Sequence, residues 1–395
     1  MRTNLRRVKL PIYLDYHATT PCDPRVVAAM TPCFCDTFGN PSSRSHAFGR
    51  TAEDLVEGAR RRVADLVGAH PAEIIFTSGA TEANNLALLG AAHARRVAGE
   101  GDHVVSTAIE HKSVLEPLLA LEREGFRVTR VEVDEHGLVD PAAVSDALGD
   151  GTILVSVMLA NNEIGTIQPL ADIARLAHEV GAWVHTDAVQ AVGKMPVDVD
   201  ELDIDMLALS GHKFYGPKGV GALYVRRRPR RVKLAPAVHG GGQERGLRAG
   251  THNVPGIVGL GEACRVAAAE IETERSRIES LRDRLQRGLE KEIDGIFVNG
   301  HPELRLAQNL NVSIPNVDGE ALLLSLEDVA VSSGSACRSS APGASHVLKA
   351  IGRNGDLARS SIRFGLGRWT TEEEIDYAIT RVSETVNRLR AMSAL

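Results

Sequence analysis

The chemistry in this chain centres on one lysine. Lys213 stands in Leu207-Ala208-Leu209-Ser210-Gly211-His212-Lys213-Phe214-Tyr215-Gly216-Pro217, an apolar strand that breaks into a polar loop flanked by glycines. A lysine partly withdrawn from water gives up its proton readily, and the neutral amine attacks carbonyls to form a Schiff base. Alone, Lys213 reads as a solvated loop lysine. Its company says more. Ser210 and His212 beside it are hydrogen-bond donors suited to a phosphate, and Asp187 ends the preceding apolar strand. Ser78-Gly79-Ala80-Thr81 lies between a strand and a helix, where backbone N–H groups and a helix N-terminus face an anion. A lysine imine, a phosphate cradle and a buried acid are the parts of a pyridoxal-phosphate site.

Other residues admit two readings each. His111 is either a plain helix-start residue or a flat ring stacked on a flat cofactor. Asp187 could salt-bridge locally or, with His185, bind a metal, but no third ligand follows at a plausible spacing. Cys337 sits in Ser332-Ser333-Gly334-Ser335-Ala336-Cys337-Arg338-Ser339-Ser340-Ala341-Pro342-Gly343. Small polar neighbours, a mobile-loop composition and the adjacent Arg338 favour an accessible, thiolate-prone sulfur over a buried structural one. Arg338 or a nearby histidine is expected to help deprotonate it. Arg363, mid-strand between apolar residues, is either paired with a buried acid or free to hold a carboxylate bidentately. There is no G-x-G-x-x-G after a strand and no G-x-x-x-x-G-K-[ST], so dinucleotide and P-loop readings lose their main support.

The elements that position these residues alternate. Strands at 74–77, 103–106, 128–133, 153–159, 183–187, 204–209 and 221–225 are separated by segments of helical spacing at 82–98, from after Ser113 to 124, 141–148 and 170–180. That alternation predicts a mainly parallel, doubly wound α/β sheet with helices on both faces. Such sheets bind ligands at the carboxyl ends of their strands, and Thr81, His111, Asn162, Asp187 and Ser210 each fall just past the end of a different strand. A charged helix over 262–292 then leads into a second, smaller domain with strands at 296–298 and 310–314 and a final helix over 372–389. The run Arg226-Arg227-Arg228-Pro229-Arg230-Arg231 reads as a charged cap after an edge strand.

The length of 395 residues suits two or three domains. A net charge of -6 implies no nucleic-acid partner, and no apolar run reaches membrane-spanning length. Met1 to Lys9 is basic but too short for a transit peptide and lacks an apolar signal core. Five cysteines, an odd count without a secretion signal, point to reduced thiols in the cytoplasm. Cys22, Cys33 and Cys35 cluster without a matching pair at zinc-site spacing and read as ordinary thiols, with a metal site as the weaker alternative.

Nine segments together carry a family resemblance. They are Tyr13-Leu14-Asp15-Tyr16 with Ala18-Thr19-Thr20-Pro21, Phe38-Gly39-Asn40-Pro41-Ser42-Ser43, Thr77-Ser78-Gly79-Ala80-Thr81-Glu82, Glu110-His111-Lys112, Asn161-Asn162-Glu163-Ile164-Gly165, Ser210-Gly211-His212-Lys213, Arg248-Ala249-Gly250-Thr251, Ser333-Gly334-Ser335-Ala336-Cys337 and Ser361-Ile362-Arg363. As an ordered set from Ile12 to about Leu389, the chain resembles the pyridoxal-phosphate cysteine desulfurases of the NifS/IscS type. The resemblance implies a fold-type-I homodimer with a large cofactor-binding domain over 18–261 and a small α+β domain from 1–17 and 262–395.

It also implies roles. Lys213 would carry the cofactor as an imine and move the substrate's α-proton. Asp187 would keep the pyridine nitrogen protonated, Gln190 would bond the ring phenolate, and His111 would stack on the ring and shuttle protons. Ala80, Thr81, Ser210 and His212 would bind the phosphate, joined by Thr251 from the other subunit. Asn162, also against the cofactor, and Arg363 would hold the substrate carboxylate. L-cysteine would become alanine, with the sulfur passing to Cys337 as a persulfide and then to an acceptor protein, an iron–sulfur scaffold or another. No resident metal is implied, and Cys337 is the residue a nascent iron–sulfur cluster would contact. Two departures bear on the acceptor. The loop after Cys337 lacks the Leu-Glu-Pro version common in relatives, and the chain ends at Leu395 without the extension some relatives use to dock a scaffold. A selenocysteine lyase or class-V aminotransferase on the same scaffold is the enzymatic alternative, and an α/β binding protein with an incidental Lys213 the non-enzymatic one.

Overall fold

The computed structural model describes residues 8–333, 345–353 and 355–393. Its first strand, β1 (Ile12–Tyr13), precedes seven that build the main sheet. These are β2 (Ile74–Thr77), β3 (His103–Thr107), β4 (Arg127–Val131), β5 (Thr152–Ser156), β6 (Trp183–Asp187), β7 (Met206–Ser210) and β8 (Gly221–Val225). Their order is β2-β8-β7-β6-β5-β3-β4. Strands β3 to β7 pair in parallel, while β8 is antiparallel to both β7 and β2. Since β8 is reversed against both neighbours, β2 points the same way as β7. The carboxyl ends of β2, β3, β5, β6 and β7 therefore share one edge, as the sequence reading expects.

The strand sequences are apolar because both faces are covered. Side chains alternate between two cores. Val104, Leu154 and Ala208 face one core with Leu86 and Leu118 from the helices Ala80–Val97 and Lys112–Arg123. Val105, Val155, Leu207 and Leu209 face the other, with Val56 from Ala47–Leu66 and Ile173 from Leu170–Glu179.

One expectation is corrected here. Strand β8 is not an edge strand, because β2 lies outside it, so the arginine run is no edge cap. Arg226 is 3% exposed, and its guanidinium donates to Val199 O, Ile204 O and the Asp200 carboxylate. Local spacing carries no trace of this, since the pairing of Ile74 with Tyr224 joins distant segments.

The remaining strands are β9 (Phe297–Asn299), β10 (Asn309–Ser313), β11 (Val329–Ala330) and β12 (Ser361–Gly365). An antiparallel sheet runs β12-β10-β9, and β1 returns from the N-terminus to pair in parallel with β11. Leu14, Leu310, Phe364 and Ile375 share a separate core there. The helix Val254–Glu292 joins the two cores, burying Ile257, Leu260 and Cys264 in one and Ile278, Leu285 and Leu289 in the other. It begins before the expected position 262. Asn253 accepts from Gly256 N at 3.1 Å, and Pro255 fits the first turn, where no amide hydrogen is needed. Among the described residues no helix is long and apolar enough to cross a membrane.

Candidate active site

A cavity of about 670 Å³ opens at the shared strand edge. This lies within the roughly 300–1,000 Å³ of small-molecule sites. Ten of the expected site residues line it: Lys213, Asp187, Gln190 and His111; Ala80, Thr81, Ser210 and His212; and Asn162 and Arg363.

At one end the chain leaves β2 and turns through Gly79 into an eighteen-residue helix. Gly79 has φ +152°, open to glycine and strained for other residues. Gly221 lets this turn approach β7, since a Cβ there would lie 2.8 Å from Gly79 Cα. Glu82 takes the Ser78 N–H at 2.8 Å and pairs with Arg248, fixing the turn. The helix N-terminus, Ser210 and His212 then converge as donors to an anion. Burial, reinforced by the charge of Lys213, pushes the His212 imidazole down to about 4, so the ring is neutral near pH 7.

Lys213 sits on the short turn Gly211–Lys213 that follows β7, and its Nζ donates to His17 O at 2.6 Å and Ala18 O at 3.0 Å. Those carbonyls belong to the segment after β1, which seals one wall of the cavity. Asp187, 5% exposed, accepts from Val189 N at 3.0 Å and from Asn84 Nδ2 at 2.8 Å. The Asn84 amide also donates to Ser113 Oγ and accepts from His185 Nε2. His111 Nδ1 accepts the Ser113 N–H at 3.1 Å and contacts Ser113 Oγ at 2.8 Å. These bonds leave the neutral His111 ring with its hydrogen on Nε2. Burial holds its pKa below the usual histidine range, against the pull of Asp187. Both nitrogens of His185 are engaged, by Ser156 Oγ and Asn84. Gln190 bonds His17 through both ends of its amide.

At the far end, Asn161 Oδ1 accepts from Glu163 N and Ile164 N, a turn that presents Asn162. Arg363 answers both readings of the sequence at once. It pairs with Asp15 at 2.9 Å and donates to Asn162 O at 2.9 Å, yet its buried Nε has no partner. A ligand carboxylate would find a guanidinium already oriented. Glu163, raised to about 7 by burial, accepts from Ser345 Oγ.

Thr251 is exposed and does not line this chain's own cavity. Its loop is anchored by Glu244, which accepts from Arg60, from Phe76 N within β2 and from His252. Cys337 lies outside the described residues. Sequence reasoning missed Asn84, Ser113, Asp15, His17 and His346. Asn84 had a usable signal, a polar residue on the buried face of the helix that Thr81 opens. His346 had little, a lone histidine before Val347-Leu348.

Apart from any ligand, the arrangement offers an anion cradle, a buried carboxylate, an amine and an oriented guanidinium within one cavity. The class-V aminotransferase family model matches residues 12–378. The chain belongs to that family, on the branch of the cysteine desulfurases. It is 56% identical over 388 residues to a cysteine desulfurase IscS from Anaeromyxobacter sp. (strain K), covering 98% of this chain and 95% of the relative. A solved NifS-like protein superposes with a TM-score of 0.89 at 39% identity, over 96% of this chain and all of that one. SspA, solved in complex with cysteine, gives 0.79 at 39% identity, over 91% of this chain and 100% of its own.

Proposed function

We propose that this enzyme removes sulfur from L-cysteine with the help of pyridoxal phosphate, releases L-alanine and carries the sulfur as a persulfide on Cys337. The observation that carries the reading is the meeting of Lys213, Asp187 and the anion cradle in one cavity. The residues fit the cofactor. A helix N-terminus with Ala80, Thr81, Ser210 and His212 matches a phosphate. A hydrogen-bonded, buried carboxylate matches a protonated pyridine nitrogen. An amine held by two carbonyls matches an aldehyde carbon. When bound, the cofactor supplies an electron-poor ring that acidifies the α-hydrogen of an amino acid.

The chain's residues do the rest. Lys213 would hold the cofactor's aldehyde carbon and would move the substrate's α-proton at Nζ. His111 would cover the ring face, and Gln190 would bond the ring oxygen. Arg363 and Asn162 orient the substrate carboxylate. Cys337, as thiolate, attacks the substrate sulfur. The S–S bond forms and the C–S bond breaks, and the carbon keeps the bonding pair and takes a proton to become the alanine methyl group. The persulfide then passes to an acceptor protein, an iron–sulfur assembly scaffold or another. The enzyme acts as a cytoplasmic two-fold dimer in which Thr251 completes the partner's phosphate site. Mass spectrometry after brief exposure to L-cysteine without reductant tests this. One extra sulfur is expected on the peptide containing Cys337, and no alanine from Cys337→Ser. Sulfur found only on Cys22, Cys33, Cys35 or Cys264 would overturn it.

A further inference from the structure

Four histidines line the cavity: His17, His111, His212 and His346. Their hydrogen bonds make them unlike. His17 is spent on both sides, donating from Nδ1 to Gln190 Oε1 at 2.9 Å and accepting at Nε2 from Asn309 Nδ2 at 3.1 Å. His111 accepts at Nδ1 from the Ser113 amide, so it presents an N–H at Nε2. His212, at the anion end, shares Nδ1 with the Thr19 hydroxyl.

His346 is the reverse of His111. Its Nε2 lies 3.0 Å from the backbone oxygen of Glu110. A carbonyl oxygen can only accept, so the ring hydrogen must be on Nε2. Nδ1 is then a bare lone pair, and no described residue bonds to it. The ring is half-buried, and Ser345 just before it is anchored to Glu163. Burial and the charges of Lys112 and His111 hold its pKa below the usual histidine range, although its bond to Glu110 opposes this. The ring therefore stays neutral, and its acceptor stays available, at neutral pH.

We infer that His346 is a specificity-determining residue whose Nδ1 accepts the hydrogen of the substrate's thiol, turning the sulfur toward that wall of the cavity. The inference rests on the cysteine reading above. L-cysteine brings a carboxylate, an amine and a thiol. Arg363 and Asn162 suit the first and Lys213 exchanges with the second. The thiol is the remaining group, protonated near neutrality because its ordinary pKa is about 8.5. It is a weak donor that needs an acceptor. His346 meets that need with an orientation enforced from behind by Glu110, and a cavity wall of N–H donors alone would not.

The test is a spectroscopic titration of the cofactor-loaded enzyme in a Cys337→Ser background, where bound L-cysteine is not consumed. L-cysteine is compared with L-alanine, which lacks only the thiol. Without further change the enzyme should prefer L-cysteine. His346→Phe should reduce that preference about three- to tenfold, the range of one neutral hydrogen bond, with L-alanine affinity unchanged. His346→Gln, whose amide can donate to Glu110 O and still offer an oxygen, should restore part of it. The preference should also fade on acidification, as His346 gains a proton on Nδ1. An unchanged preference in His346→Phe, or equal weakening of both ligands, overturns the role of His346 alone. Failure of the His346-intact enzyme to bind the cofactor or L-cysteine overturns the cysteine reading, and the inference with it.

Discussion

Asn84 Nδ2 donates to Asp187 Oδ2 at 2.8 Å. The first residue lies one turn into the helix that opens the anion cradle, and the second ends β6. One amide thus ties the helix that opens the anion cradle to the buried acid. The same amide supports Ser113 beneath His111, so three elements share one fixed point. Asn84→Ala should leave Asp187 Oδ2 without its donor and lower stability by about 1–3 kcal/mol. Asn84→Asp should be worse, because a second carboxylate beside Asp187 drives one of the two toward its neutral form. Cofactor retention during dialysis should fall in the order native, Ala, Asp. Equal retention in all three would show that Asn84 does not orient the acid.

Lys213→Ala removes the amine that His17 and Ala18 hold in place. Alanine release from L-cysteine should drop by at least about 10²–10⁴-fold, the share of a positioned proton-transfer group. Cofactor should still bind, weakly, through the anion cradle and Asp187. Alanine production at the native rate would refute the assignment.

Glu110 gives a pH signature. Burial pushes its carboxyl up to about 8, although Met158 N and Thr107 Oγ1 donate to it, and Oε2 has no partner. The folded chain keeps this proton to about pH 8, whereas the unfolded chain loses it at the ordinary carboxylate value. The group's contribution to stability is therefore fully present below that ordinary value and is lost as pH rises through about 8. Glu110→Gln removes the dependence. Calorimetry from pH 5 to pH 9 should show the variant gaining on the native protein, by on the order of a few kcal/mol. Parallel melting curves across that range would contradict it.

Phe38 and Phe48 stack at 5.5 Å between ring centroids, although they are 63% and 56% exposed. The segment between them borders the Gly242–Arg245 turn, on the loop that also carries Thr251. An exposed aromatic pair beside the exposed loop of Thr251 suits a buried contact with a second copy. Phe48→Asp should shift sedimentation toward monomer and weaken cofactor binding, and Thr251→Ala should weaken binding without splitting the dimer. A fully active monomer would remove the case for a shared site.

The sheet was legible in the sequence because its strands are short apolar runs between amphipathic helices. The boundaries at Ile74–Thr77, Trp183–Asp187 and Gly221–Val225 follow from that contrast. Ten of the expected site residues meet in one cavity because each ends a strand or lies in the connection that follows one, except Arg363, which stands within β12. What stayed hidden depends on contacts between distant segments. The flanking of β8 by β2 turned a supposed edge cap into buried guanidinium bonds at Arg226. Asp15 as the partner of Arg363 required the segment after β1 to meet the end of β12, where Asp15 bridges to Gly365. The acceptor face of His346 required its contact with the Glu110 carbonyl, which no spacing rule encodes.

The pairing of β2 with β8 also constrains how the protein is made. Thr77 leaves the ribosome long before Gly221, and at about 5–20 residues per second the wait is roughly seven to thirty seconds. Until then Ile74, Ile75 and Phe76 lack the strand that neighbours them in the finished sheet. The turn through Gly79 cannot be set against Ser210 before β7 and β8 exist. Completion of the anion cradle is thus a late event in biogenesis, and a nascent chain stalled before Gly221 would expose an apolar strand beside an unfinished cavity.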